Sequence, residues 1–283
     1  MSDTKHIAYQ GEPGANSHIA CIEARPDMEP LACHTFEGAF SAVHEGRAEL
    51  AMIPVENTLA GRVADIHHLL PNAGLFIIGE HFLPIRHQLM APPGATIDSI
   101  KTVHSHVHAL GQCRELIGEL GVEAVVAGDT AGAAREVAER NDPTEAAIAS
   151  RLAAEIYGLN ILRHDIEDEA HNTTRFLIMA RQPLETRPGE GPFITSFVFQ
   201  VRNVPAALYK ALGGFATNGV NMTRLESYQV GGRMQATQFH ADIEGHPRDE
   251  PVRLALEELD FFTSSIKMLG TYPASPLRGK LMG

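Results

Sequence analysis

Tryptophan is missing from this chain of 283 residues, and cysteine is scarce: Cys21, Cys33 and Cys113 stand far apart and are odd in number. No CxxC pair occurs, so a disulfide framework and a thiol-ligated zinc or redox centre are not expected, and the three read as reduced, mostly buried thiols. No run of about 18 apolar residues exists, which removes a membrane-spanning helix. The first residues, Met1-Ser2-Asp3-Thr4-Lys5-His6, have no basic segment ahead of an apolar core, so no signal peptide is expected and the cytoplasm is the expected location. Positive charge is short as well. With Lys and Arg at 23, Asp and Glu at 35 and a net charge of -12, neither an electrostatic nucleic-acid binder nor a polybasic membrane surface is expected. Neither GxGxxG nor a GKS/T loop is found, so dinucleotide and P-loop readings fail.

What is present suits a packed α/β protein. Hydrophobic residues make up 44% and charged residues 20%, enough for one large or two ordinary domains. Residues 6–10, 31–35, 50–55, 100–104, 122–127, 146–150, 161–164 and 175–180 read as strands, and 75–78 and 81–90 as extended segments that form the crossing between two lobes. Helices are expected over 18–24 with Ser17 as cap, over 36–45, over 106–120 with Ser105 as cap, from Gly128-Asp129-Thr130 to about 140, and up to Tyr157. This alternation is the pattern of parallel α/β lobes. His104, His106 and His108 would share a face on a strand and could suit zinc; on a helix begun by Ser105 they point apart, and that reading is preferred.

Residues 183–193, rich in Pro and Gly, read as a linker. Beyond it, Thr195, Phe197, Phe199 and Val201 alternate as in a half-buried strand, and Leu208, Leu212 and Phe215 follow at helical spacing. Strands over 220–230 and 234–243 form a hairpin around Gly231-Gly232. Val252, Ala255, Leu256 and Leu259 line a second helix, and 266–272 gives a last strand. The order is βαββαβ, a ferredoxin-like module.

Two polar clusters sit at strand ends, where open α/β sheets bind ligands. In His171-Asn172-Thr173-Thr174-Arg175-Phe176, Thr174 brings a hydroxyl, and Arg175 a planar fork suited to a carboxylate or to an acid such as Asp165, Glu167 or Asp168. In Glu56-Asn57-Thr58-Leu59-Ala60-Gly61, Glu56 is a potential acid or charge partner and Asn57 a two-way hydrogen bonder. Taken alone, the first is equally a surface strand start and the second a turn. The loop from Gly11 to Ser17 is either a tight turn or an anion-favouring helix entry.

These stretches together make the chain resemble the prephenate dehydratases that carry a C-terminal ACT regulatory domain. The resemblance runs over Tyr9 to Ser17, Val55-Glu56-Asn57-Thr58 with Gly61, Ser105-His106, Ala109-Leu110, Gln112-Cys113, Asp129-Thr130-Ala131, Ala146 to Ser150 and Thr174-Arg175-Phe176, in that order. It implies a two-lobed catalytic domain like a type II periplasmic binding protein over 5–182, a linker over 183–193, an ACT domain over 194–272 and a tail over 273–283. It implies conversion of prephenate to phenylpyruvate, carbon dioxide and water, with no metal or organic cofactor. Thr174 would be catalytic. Glu56, Asn57, Thr58, Ser105, Gln112, Thr173, Arg175 and Phe176 would bind substrate. The family's Ser-His-Pro-Gln segment reads Ser105-His106-Val107-His108 here, so nothing is carried onto Val107 or His108. The resemblance further implies phenylalanine as effector, bound by Ala206, Ala207, Leu208, Asn221, Glu226 and Ser227 at an interface between ACT domains, and hence a homodimer or homotetramer. Tyr228-Gln229 replaces the family's Arg-Pro, which puts the affinity and specificity of that effector site in question. Arogenate, the amino analogue of prephenate, is the alternative substrate; a non-catalytic small-molecule sensor is the alternative class.

Overall fold

The computed structural model describes residues 4–202, 204–229 and 236–281. The first half begins β1 (His6–Gln10), α1 (Asn16–Ala24), β2 (Glu29–Cys33), α2 (Phe36–His44), β3 (Leu50–Asn57), β4 (Gly61–Arg62), α3 (Ala64–Leu69) and β5 (Phe76–Pro84). It continues with β6 (Gln88–Ala91), β7 (Thr102–Ser105), α4 (Val107–Gly111), α5 (Arg114–Leu120), β8 (Glu123–Val126), α6 (Thr130–Arg140), β9 (Glu145–Ala149), α7 (Arg151–Tyr157), β10 (Asn160–Arg163) and β11 (Thr173–Ala180). One sheet runs β2-β1-β3-β11-β5 with β4 on β3, and a second runs β10-β6-β9-β7-β8. The first pairs β1 in parallel with β2 and β3. The second is mixed: β7 is parallel to β8 and β9, but β6 is antiparallel to β9 and β10.

Apolar strands and small-residue helices explain these lobes. Ile7, Ala8, Met52 and Ile53 are fully buried on β1 and β3, with Ala20, Ala39 and Val43 from the covering helices. In the second lobe Ala131, Ala134 and Val137 of α6 meet Ala147 and Ala149 of β9 and Ala153 of α7. Alanine contributes little side-chain bulk, so these helices approach the sheet closely. Asp129 caps α6 by accepting from the Gly132 N–H at 2.7 Å, as its position in the sequence suggests.

The last part is β12 (Phe193–Val201), α8 (Ala207–Thr217), β13 (Met222–Gln229), β14 (Ala236–Glu244), α9 (Glu250–Phe262), β15 (Thr263–Pro273) and α10 (Arg278–Leu281). Its sheet order, β13-β14-β12-β15, completes the expected βαββαβ module. The apex of the expected hairpin, Gly231-Gly232, lies outside the described residues. Phe197, Phe199, Phe239, Ala241 and Ile243 face Ala211, Phe215, Val252, Ala255 and Leu259 of the helices. The expected half-buried strand is a correction: β12 is central, paired on both sides, and all its residues except Gln200 are buried. Its other face buries polar groups, where Ser196 Oγ donates to Asp242 Oδ1 at 2.5 Å and lies 2.9 Å from the Tyr272 hydroxyl.

The chain divides into two compact units, residues 1–63 with 81–176 and residues 64–80 with 177–283. Within the second unit, residues 64–80 are gripped by three contacts. Lys267 Nζ donates to the Pro71 carbonyl, Arg278 pairs with the fully buried Glu80 carboxylate, and Gly270 leaves room for the Ile77 carbonyl, which would lie 2.0 Å from any Cβ there.

Candidate functional site

The ends of β3 and β11 lie side by side in the first unit. Thr58 fastens them: its N–H donates to the Thr173 carbonyl at 3.0 Å, while its hydroxyl donates to the His171 carbonyl at 2.7 Å and accepts from the Thr173 N–H at 2.9 Å. Both roles of the Thr58 hydroxyl are thus taken up within the protein. Of the partners expected for Arg175, the structure shows a protein acid, and it is Glu56 rather than Asp165, Glu167 or Asp168. Arg175 is 3% exposed and its Nη1 donates to Glu56 Oε1 at 2.8 Å, so the guanidinium is held by a protein carboxylate. Phe176 is buried in the core, 1% exposed.

Asn57 controls what Thr174 can do. Its Oδ1 accepts from the backbone N–H groups of Leu59 and Ala60 at 2.9 and 2.8 Å. A backbone N–H can only donate, so the amide orientation is fixed and Nδ2 faces inward. There it donates to Thr174 Oγ1 at 2.9 Å and to Asn172 Oδ1 at 2.7 Å. The Thr174 oxygen is therefore an acceptor toward Asn57, and its own proton is left to donate elsewhere.

Asn172 links this pair to Gln112, whose Oε1 accepts from Asn172 Nδ2 at 2.9 Å and lies 2.9 Å from His87 Nε2. His87 is 3% exposed, and burial pushes its pKa below the usual histidine value, against the opposing Gln112 bond and the Glu167 charge. Neither Asn172 nor His87 stands out in the sequence as a site residue. Asn172 lies inside the motif but carries no chemistry alone, and His87 acquires its partner only through the fold.

Ser105 does not cap a helix, which corrects that expectation. It is the last residue of β7, fully buried, and its hydroxyl donates to the Ile148 carbonyl at 2.6 Å. His106 caps α4 instead, and the expected long helix breaks at Gln112-Cys113. The break follows from Asp168, whose carboxylate takes the Arg114 and Glu115 N–H groups at 2.9 and 3.2 Å and so begins α5 anew. Ser17 is likewise inside α1 rather than at its start, where Ala15 is the cap. Among the described residues, no group of three or more His, Cys, Asp or Glu side chains could hold a metal ion.

Gln112 also lines a cavity of about 510 Å³, with Leu59, Ala60, His108, Arg114 and Glu169 among its walls. Such a volume suits a small organic acid. Arg114 is a cation on this wall, beside the carboxylates of Asp168 and Glu169, and Leu59 and Ala60 join the cavity wall to Asn57. The prephenate dehydratase family model matches residues 7–184. The chain belongs to the prephenate dehydratase family. It is an enzyme of that family, a lyase that dehydrates with decarboxylation. A bifunctional N-acyl-homoserine lactone acylase/prephenate dehydratase of Komagataeibacter europaeus is 54% identical over 99% of this chain and 100% of its own length. An arogenate dehydratase/prephenate dehydratase of Arabidopsis thaliana is 39% identical, over 94% of this chain and 72% of its own. The solved structure of an Arthrobacter aurescens prephenate dehydratase in complex with L-Phe superposes with a TM-score of 0.86 at 32% identity, covering 95% of this chain and 90% of that one. The two-lobed α/β part and the βαββαβ module are thus the architecture of a prephenate dehydratase.

In the C-terminal module the expected effector residues do not form one cluster within a single chain. Ala206, at φ 61°, begins α8 with Ala207 and Leu208, beyond the Val201 end of β12. Asn221 lies at the other end of the sheet, its carbonyl accepting from the Glu244 N–H. Glu226 and Ser227 alternate on β13 opposite His240 and Phe239, and so point to opposite faces.

Proposed function

We propose that this protein converts prephenate to phenylpyruvate, and that Thr174 donates its hydroxyl proton to the departing ring hydroxyl. The observation that carries this is the fixed Asn57 amide, which occupies the Thr174 oxygen as an acceptor and leaves the proton available. In the reaction the bond from the ring to its carboxylate breaks and carbon dioxide leaves. Its electron pair enters the ring as the carbon–hydroxyl bond breaks, and the hydroxyl takes a proton to leave as water. A threonine hydroxyl is a weak acid, so its contribution is mainly polarisation of the leaving group, with Asn57 stabilising charge left on Oγ1. Gln112 and Arg114 are the groups placed to receive the substrate carboxylates. Glu56, Thr58, Thr173, Arg175 and Phe176 support this row from behind.

The catalytic part spans 5–182, the linker 183–193, the ACT domain 194–272 and the tail 273–283 in this reading. Phenylalanine acts as feedback effector between ACT domains of a homodimer or homotetramer, with Ala206 to Leu208, Asn221, Glu226 and Ser227 as its contacts. The L-Phe complex of the Arthrobacter aurescens relative supports the effector, and separation of these residues within one chain favours a site completed by a second copy. The expected location is the cytoplasm.

The test is phenylpyruvate formation from prephenate by the purified protein beside Thr174→Ala and Thr174→Ser. Loss of a donor of this kind costs roughly 10²–10³ in rate, so Thr174→Ala should fall by that much and Thr174→Ser should keep most of the activity. A fall of less than tenfold for Thr174→Ala sinks the role of Thr174. No turnover of prephenate but turnover of arogenate would reassign the substrate. The Komagataeibacter europaeus relative favours a second reading, an acylase acting on N-acyl-homoserine lactones. Release of homoserine lactone by the same preparation decides it, and survival of that release in Thr174→Ala would assign it to other groups.

A further inference from the structure

We infer that Asn172 and His87 are positioning residues that orient the Gln112 amide as a donor to a substrate carboxylate; the inference rests on the proposed dehydratase reading. The argument begins at two backbone N–H groups and propagates by donor and acceptor matching alone. Leu59 and Ala60 donate to Asn57 Oδ1, so Asn57 Nδ2 must be the atom that meets Asn172. Asn172 must then present its oxygen to Asn57, which turns its NH₂ toward Gln112 at 2.9 Å. Gln112 must answer with its oxygen. That oxygen also faces His87 Nε2 at 2.9 Å, so His87 carries its hydrogen on Nε2.

The consequence lies at the far side of Gln112. With its oxygen shared by two donors, its NH₂ is turned away from the row, and Gln112 is one of the residues lining the cavity. A donor there complements the carboxylates of prephenate, whereas a reversed amide would set an oxygen against them. Asn172 and His87 are 1% and 3% exposed, so neither touches solvent or substrate freely. His87 is itself fixed in place: its backbone N–H donates to Glu167 Oε2 at 3.0 Å, its carbonyl accepts from the Ile166 N–H, and Arg86 holds the same Glu167.

The substitution that separates positioning from mere support is Asn172→Asp, nearly unchanged in shape but without the NH₂. Asn57 still donates to it and to Thr174. Gln112 must reverse to donate to the new carboxylate, turning its oxygen to the cavity, and His87 must move its hydrogen from Nε2 to Nδ1 to accept. Ring ¹⁵N–¹H correlation spectra of the histidines, with His87 assigned by its disappearance in His87→Gln, read this directly. The expected result is an Nε2–H tautomer in the native protein and an Nδ1–H tautomer in Asn172→Asp. In turnover of prephenate, KM should rise roughly ten- to a hundredfold, the range for a hydrogen bond to a charged group, while kcat changes less. His87→Gln, which keeps a donor, should stay closer to native KM than His87→Leu. An Nδ1–H tautomer in the native protein overturns the proposal, and so does an unchanged KM in a folded Asn172→Asp. If Asn172→Asp does not fold, the native tautomer and the His87→Gln and His87→Leu pair decide. If the native protein fails to turn over prephenate, the proposed reaction falls, and the His87 tautomer alone passes judgement on the polarity of the row.

Discussion

At the scale of single residues, the decisive feature is an asparagine whose orientation is imposed by the backbone. Asn57→Asp tests this. The aspartate would still accept from Leu59 and Ala60, but its second oxygen would face Thr174 Oγ1 and require the Thr174 proton for itself. The rate should fall by roughly 10²–10³, as for other lost donors in such sites, with the melting temperature little changed; retention of the rate would refute the donor role of Thr174. In the sequence Asn57 closes one apolar strand and Thr174 opens another, and the fold adds the 2.9 Å bond between them. Ser105 was misread for a local reason. A serine ahead of a helical pattern matches a cap, yet β7 continues through it and the Ile148 carbonyl, 43 residues on, takes its hydroxyl. His87 was invisible because its meaning depends on Gln112, 25 residues away.

Among elements, the helix entries show where local signals suffice. Ser150, read from the sequence as the close of a strand entering a helix, caps α7 by accepting from the Ala153 N–H at 3.1 Å. It also donates to the Gly14 carbonyl at 2.5 Å, tying the β1–α1 loop to the second lobe. Ser150→Ala loses a cap and leaves a buried carbonyl without this donor, so it should cost about 1–3 kcal/mol in urea unfolding; a change under 0.5 kcal/mol would show the two bonds to be dispensable. The βαββαβ order was legible from periodicity alone. The break between α4 and α5 was not, because Asp168 comes from far along the chain and its carboxylate competes with helix continuation at Arg114 and Glu115. Nor could the sequence reveal that β12 is buried on both faces, since Thr195 and Ser196 are polar and only their partners, Gly245, Asp242 and Tyr272, make them interior residues.

For the whole molecule, acid is the expected weakness. Burial lowers the pKa of His18, His87, His104 and His106 below the ordinary histidine value of about 6.5. A lowered histidine binds its proton more readily unfolded than folded, so stability from these groups is complete above the unfolded pKa and is lost as pH falls through about 6.5 toward the folded values. Urea midpoints should therefore decline between pH 7.5 and 5, and a smaller decline is expected in His87→Gln. A midpoint that is flat or rises on acidification would contradict this.

The chain passes from one compact unit to the other at 63/64, again at 80/81, and a third time at 176/177. A segment from the middle of the dehydratase sequence is thus housed with the C-terminal module, its Pro71, Ile77 and Glu80 matched to Lys267, Gly270 and Arg278. Cutting the chain at the linker would therefore strip Pro71, Ile77 and Glu80 of these three contacts, so the cost of losing the C-terminal module falls on residues 64–80 as well.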